Sequence, residues 1–287
     1  VTSTIAMIGC GEAGLAFAGA PGRCGDMTAF DILTDDPARR DAKLADYQSA
    51  GVTAAMSIAE ALTGAAVVLS LVTADRALGA ARAAASYLSP DALYLDLNSV
   101  APATKRAAAA VIAAAGGRYV DVAVMAPVHP RRLGVPLLLC GEHADAAAAA
   151  LRAIGFTALR VIAGGIGAAA SVKMIRSVVI KGVEALTAEC MIAAARAGVV
   201  DEVLLALGED WTARADYNLD RMIAHGMRRA AEMDEVAATL DSLGVVPSMT
   251  RATAERQRQL GGLDLGHIAG LDAKLAALTA EPRMRAA

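Results

Sequence analysis

From Thr4 to Ile162, short apolar runs of strand length alternate with longer alanine-rich segments whose apolar positions recur at helical spacing. The runs at 5–8, 30–34, 67–72, 93–97, 119–124, 136–140 and 159–162 predict strands. Their continuous apolar character suits a parallel sheet covered by helices on both faces. Helices are expected from Glu12, from near Pro37, and over 74–87, 102–115 and 144–153. Alanine loses no side-chain entropy in a helix, so runs such as 107–115 favour that state. At AGGIGAAAS (163–171) the texture changes. An unbroken helical pattern runs on to about Arg196, and further helices are expected at 201–207, 211–225, 227–243, 248–260 and 265–278. Gly208, Gly226, Gly244 to Pro247 and the pair Gly261-Gly262 are expected to break them. The pattern predicts an α/β N-terminal domain, residues 1–163, followed by an all-α C-terminal domain, residues 164–287. A helix of about thirty residues exceeds the usual globular length and suggests a spine joining two domains or two subunits.

Composition narrows the partners. With 287 residues there is bulk for two cores without covalent staples. Lys+Arg 27 against Asp+Glu 30 gives a net charge of -3, so no global field recruits nucleic acid or an anionic membrane. A small-molecule substrate is expected instead. Cys10, Cys24, Cys140 and Cys190 form no C-x-x-C pair and have no His at metal-ligand spacing, which argues for reduced thiols and no metal. No apolar stretch has transmembrane length, and no basic-then-apolar leader precedes the first strand. A soluble, cytoplasmic protein is expected.

The chemistry begins at TIAMIGCGEAG, where a strand runs directly into Gly9, Gly11 and Gly14 in the spacing G-x-G-x-x-G and a helix follows. Gly9 permits a tight turn, Gly11 lets the main chain approach a pyrophosphate, and Gly14 lets helix and strand pack closely. An ordinary turn with strain-relieving glycines is the plainer reading. The strand–turn–helix context favours a dinucleotide site, which makes the N-terminal domain Rossmann-type. Glu12 and Ala13 then lie among the phosphate-facing positions. Val72 and Thr73, after the run at 67–72, and Asn98, after the run at 93–97, are expected beside the cofactor. The discriminating carboxylate is expected about 20 residues beyond the glycines, at Asp35 in FDILTDD, where it would accept hydrogen bonds from a ribose diol and repel a 2′-phosphate. This favours NAD, with NADP open because Arg39 and Arg40 follow one turn later; the plainer reading leaves both arginines facing solvent.

Four stretches, IGCGEAG (8–14), LDLNSVAP (95–102), YVDVAVMAP (119–127) and GAAASVKMIRS (167–177), resemble the β-hydroxyacid dehydrogenase family, relatives of 6-phosphogluconate and 3-hydroxyisobutyrate dehydrogenases. KGVEALTAE (181–189) and MRRAAEMDEVAATL (227–240) resemble a branch with a C-terminal helical domain of unknown function. The resemblance implies that Lys173, on the long helix, serves as general acid/base toward the substrate hydroxyl. An ammonium partly desolvated beside a positively charged ring gives up its proton more readily; on helical pattern alone, Lys173 could equally snorkel from an apolar face. Asn98 and Ser99 stand where the family has Ser-Thr, and Ser177 stands where it often has Asn, with Arg176 beside it as an anion-binding candidate. The family's Ser-Gly-Gly substrate loop is replaced by Met125-Ala126-Pro127. That removes a hydroxyl and two permissive backbone positions, and Met125 offers a polarizable wall suited to a larger or aromatic substrate. His129, between Val128 and Pro130, is either a substrate hydrogen-bond partner or a packed loop residue.

The expected activity is hydride transfer between a nicotinamide and the hydroxyl-bearing carbon of a hydroxyacid or larger alcohol. Three alternatives stay open: a redox-neutral lyase acting through transient oxidation of the substrate, an imine reductase, and a nucleotide sensor without catalysis, for which Lys173 would be dispensable. A homodimer is expected, because a spine helix followed by amphipathic segments offers more apolar surface than one cofactor domain covers.

Overall fold

The computed structural model describes residues 4–280; the outer ends of the two expected domains, 1–3 and 281–287, lie outside the described residues. The chain forms two compact units that divide after Lys173.

The first unit is built on one eight-stranded sheet: β1 (Ile5–Ile8), β2 (Met27–Phe30), β3 (Thr53–Ala54), β4 (Val67–Ser70), β5 (Leu93–Asp96), β6 (Arg118–Val124), β7 (Leu137–Cys140) and β8 (Leu159–Val161). Their spatial order is β3-β2-β1-β4-β5-β6-β7-β8. Helices α1 (Glu12–Ala18), α2 (Pro37–Ala50), α3 (Ile58–Leu62), α4 (Ala77–Ala85), α5 (Pro102–Ala114) and α6 (Ala144–Ile154) make the connections. Successive strand residues point to opposite faces, so the sheet carries two cores. Ile5, Met7, Leu69, Leu95 and Val122 join Phe17, Tyr47 and Leu151 on one side. Ala6, Ile8, Val68 and Tyr94 join Ala84, Ala108 and Ile112 on the other. Each large apolar side chain buried this way contributes roughly 1.5–3 kcal/mol, which drives strands with little polar content into the middle of the sheet.

Three expectations for this unit need correction. The sheet is not wholly parallel: β7 runs antiparallel to β6, with Asp121 opposite Cys140. Only a loop and a short 3-10 turn at Arg132–Gly134 connect them, and a parallel return needs a longer crossover. β2 ends at Phe30 rather than continuing through 30–34, because the Asp31 side chain accepts the Leu33 N–H and folds Ile32–Thr34 into a 3-10 turn. The segment 74–87 begins with another 3-10 turn, Ala74–Arg76, before α4. The two-residue β3 and five-residue α3 carry too few apolar positions to show a period.

The helical part comprises α7 (Ala168–Ala197), which begins in the first unit, then α8 (Val200–Leu207), α9 (Trp211–Ser242), α10 (Ser248–Gly261) and α11 (Leu271–Ala280). The helices expected at 211–225 and 227–243 are one. Gly226 does not break α9: a Cβ there would lie 2.7 Å from the Cα of Gly261, so the glycine allows α9 and α10 to touch backbone to backbone. α11 starts later than expected, since Asp264, Gly266 and Gly270 hold positive φ angles of 49°, 66° and 84°. Met191, Ala215, Leu219, Met222, Leu260 and Leu275 form the core of this unit. Beside it lies a buried polar group: Arg229 pairs with Glu184, whose Oε2 also accepts Gln257 Nε2 at 2.9 Å, and Lys181 Nζ lies 2.6 Å from Glu232. Burial pulls the Lys181 pKa down, against the pull of Glu232. Among the described residues no helix is long and apolar enough to cross a membrane, and no three His, Cys, Asp or Glu side chains cluster as metal ligands.

Candidate cofactor and proton-transfer site

The chain leaves β1 toward β2 on one side and returns through β4 on the other, so the carboxyl ends of β1 and β4 flank the point where strand order reverses. Open α/β sheets bind ligands at that point. The three glycines of the loop there have different reasons to be glycine. Gly9 has φ 81°, donates its N–H to Phe30 O at 2.8 Å, and would put a Cβ 2.7 Å from Leu71 O. Gly14 would bring a Cβ to 3.3 Å from Cys10 Sγ, so it packs helix against loop. Gly11 has an ordinary φ of -76° and nothing within 4 Å of the position a Cβ would take. Nothing inside the chain requires a glycine at 11. The open space in front of its main chain leaves room for a ligand, and α1 begins there without a side-chain cap on its first turn. The loop therefore fits the pyrophosphate of a dinucleotide, with Gly11, Glu12 and Ala13 as the residues that can hold it.

Sequence reasoning missed two groups that hold this loop from beneath. Asp31, the first residue after β2, accepts the Cys10 N–H at 2.8 Å through Oδ2, and Lys43, buried on α2, donates to Cys10 O at 2.8 Å. The carboxylate at the end of β2 is thus Asp31; Asp35 lies exposed past the 3-10 turn. The Phe-Asp junction closing the run MTAF was the available signal. Asp35 borders a shallow cavity of about 400 Å³ that Phe30, Ile32, Met56, Ile58 and Tyr87 also line. Burial drives the Cys10 thiol up to about 12, with neighbouring Lys43 pulling the other way, and the side chain is packed in the core. Arg39 pairs with Asp36 on the surface, and Arg40 donates to Thr34 O at 2.7 Å.

At the ends of β4 and β5, Asn98 is buried. Its Oδ1 accepts the Val72 N–H at 2.7 Å, its Nδ2 donates to Ser70 Oγ at 2.9 Å, and its own N–H donates to Asp96 Oδ1 at 2.9 Å. Asn98 therefore braces the loop carrying Val72 and Thr73. Its neighbour Ser99 is half-buried, and Lys173 Nζ, in the second turn of α7, donates to Ser99 Oγ. The structure thus brings Lys173 to Ser99, three residues past Asp96 at the carboxyl end of β5. Met125 is partly buried against the cluster of Ala123, Leu138, Cys140 and Ala169. His129 is exposed on the loop after β6. Arg176 and Ser177 follow Lys173 by one turn of α7, the former exposed and the latter buried.

A buried ionic group underlies this edge, and sequence reasoning did not anticipate it. Lys105, on α5, donates to Asp96 Oδ1 at 2.9 Å and lies 3.4 Å from Asp121 Oδ1, all three side chains being almost wholly buried. Tyr119 donates to Asp96 Oδ2 at 2.7 Å, and burial together with that carboxylate raises its pKa. Cys140 donates to Asp121 Oδ2 at 3.3 Å; burial and then Asp121 push its thiol up to about 11. The missed signal lies in α5, where Lys105 shares the buried stripe of Pro102, Ala108 and Ile112.

Residues 4–165 match the NAD binding domain of 6-phosphogluconate dehydrogenase, and residues 194–260 match a domain of unknown function, DUF1932. The chain belongs to the 6-phosphogluconate dehydrogenase-like family, an NAD(P)-binding family of oxidoreductase type. It is similar to a conserved hypothetical protein of Sinorhizobium meliloti 1021, 38% identical over 98% of this chain and 97% of that one, with a TM-score of 0.73. It is also similar to the conserved protein MTH1747, described as structurally similar to 3-hydroxyacid dehydrogenases: 28% identity, 92% of this chain, 100% of that chain, TM-score 0.67. Mycobacterium tuberculosis 3-hydroxyisobutyrate dehydrogenase shares the fold at 17% identity, covering 97% of this chain and 99% of its own, with a TM-score of 0.74.

Proposed function

We propose that this protein is an NAD(P)-dependent dehydrogenase in which Lys173 moves the proton of the substrate hydroxyl. The observation that carries the reading is the Lys173–Ser99 hydrogen bond, just past β5 on the sheet edge that also bears the glycine loop. Bound nicotinamide supplies the hydride chemistry. As the neutral amine, Lys173 takes the hydroxyl proton when the alcohol is oxidised, and as the ammonium it returns that proton on reduction; Ser99 holds the side chain in place beforehand, so little reorganisation is needed at reaction. Asp31 and Asp35 both place carboxylates near the end of β2, which favours NAD over its 2′-phosphorylated form. The apolar surroundings of Met125 favour a hydroxyacid or alcohol larger than a simple three- or four-carbon acid, on the order of a single aromatic ring.

The test is a screen of aliphatic and aromatic hydroxyacids, following NADH absorbance in the wild type and in Lys173→Met. The variant is expected to bind NADH normally and to lose about a hundredfold or more in kcat, the usual contribution of a positioned acid/base. Near-normal turnover in Lys173→Met removes the lysine from the mechanism, and product formed without net NADH replaces the dehydrogenase by a lyase.

A further inference from the structure

We propose that Asp121 is a positioning residue for Lys173, acting through the first turn of α7 and locked in place by Lys105; the proposal rests on the reading of Lys173 as the proton-transfer group. Asp121 is fully buried on β6. Its Oδ2 accepts the N–H groups of Gly167 and Ala170, each at 3.1 Å. First-turn amides of a helix have no acceptor within the helix, and the positive end of its dipole favours a carboxylate there. Asp121 therefore caps α7 from a neighbouring strand, and Lys173 sits in the following turn. Whatever fixes the first turn fixes the direction in which Lys173 leaves the helix, because the helical repeat is rigid over so few residues.

The opposite arm of the same network ends at the other member of the pair. Lys105 Nζ, 3.4 Å from Asp121 Oδ1, donates to the main-chain oxygen of Asp96 at 2.6 Å and to its Oδ1 at 2.9 Å. Asp96 Oδ1 in turn accepts the Asn98 N–H, one residue before Ser99. One buried ammonium thus ties two carboxylates, one of which sets the backbone leading to Ser99 and the other the helix bearing Lys173. The Lys173–Ser99 hydrogen bond is where the two arms meet. A buried ion pair seldom adds net stability over apolar packing of the same volume, so stability alone is a poor reason for two carboxylates and a lysine inside this core. Orientation of the pair is a sufficient one.

The test reads Lys173 directly and needs no substrate. Lysine labelling by an acylating reagent is followed by mass spectrometry across pH in the wild type, in Asp121→Asn, and in Leu151→Ala, a core variant of the same unit remote in sequence from the network. In Asp121→Asn, Lys173 is expected to label roughly fivefold faster, the factor corresponding to one ordinary hydrogen bond lost, with a displaced pH profile, while NADH affinity and the labelling of Lys274 stay as in the wild type. Leu151→Ala is expected to lower the melting temperature and leave the Lys173 profile in place. An unmoved Lys173 profile in Asp121→Asn overturns the proposal, as does an equal displacement in Leu151→Ala. Should Asp121→Asn not fold, amide exchange in the wild type decides: slow exchange at both Gly167 and Ala170 upholds the cap, and fast exchange at either rejects it. A displaced profile in a protein that turns over no hydroxyacid would retire the dehydrogenase reading and leave the positioning intact.

Discussion

Gly9 and Gly11 stand two residues apart and are glycines for opposite reasons. The first is forced by its left-handed backbone and by Leu71 close behind it; the second faces open space, which leaves room for a ligand against the main chain. The same resolution by environment separates Asp31 from Asp35 and sorts the cysteines. Cys10 and Cys140 are buried and Cys24 and Cys190 exposed. The two buried thiols have folded-state pKa values of about 12 and about 11 against 9.0 unfolded. A raised folded value means that their stabilisation is complete below pH 9.0 and is lost as pH climbs through 9.0 to 11 and 12. At one pH unit above the unfolded value each thiol has given up about 1 kcal/mol. Lys181, held below its usual value, works in the other direction as pH approaches 10.5. The denaturant midpoint is expected to fall between pH 8 and pH 10 in the wild type, and to fall less in the Cys10→Ala, Cys140→Ala double variant; equal declines in the two proteins would contradict the assignment.

At the scale of elements, a local signal decided the outcome wherever the chain's own neighbours could satisfy it. Asp31 closed β2 early by bonding the Leu33 amide, overriding the apolar character of Ile32 and Leu33. Gly226 shows the reverse case, a residue that reads as a breaker in sequence and sits inside a 32-residue helix because α10 presses against it. Gly226→Ala is accordingly expected to destabilise the protein by about 1–3 kcal/mol, the cost of overpacking, although alanine is the better helix former. Chemical denaturation measures this, and a stabilised variant would mean that the two helices do not touch there. The apolar stripe of α5 places Lys105 on the buried face, but its partners were illegible, since the acids that hold it come from β5 and β6 and no spacing along the chain relates them to α5.

Over the whole molecule, α7 presents Val172, Ile175, Val179, Val183 and Leu186 as exposed apolar side chains at three- and four-residue spacing, which places them on one face. This stripe favours a homodimer in which a second copy covers it, and sedimentation velocity should show twice the chain mass; replacing Val179 and Leu186 by Glu is expected to give monomers, and an unaltered wild-type monomer would end the dimer reading. The sequence by itself determined the division into an α/β part and a helical part, most strand positions and the glycine loop, because periodicity, turn chemistry and motif spacing are local properties that one strand or helix expresses alone; the candidacy of Lys173 came from the family resemblance and not from those patterns. Only the tertiary structure decided that β7 runs antiparallel, that Asp31 and not Asp35 closes β2, that Asn98 braces a loop, and that Lys105 joins Asp96 to Asp121 beneath the Lys173–Ser99 pair. Those facts depend on which distant residues become neighbours in a dry interior, where buried polar groups must find partners and the chain order says nothing about which partners they find.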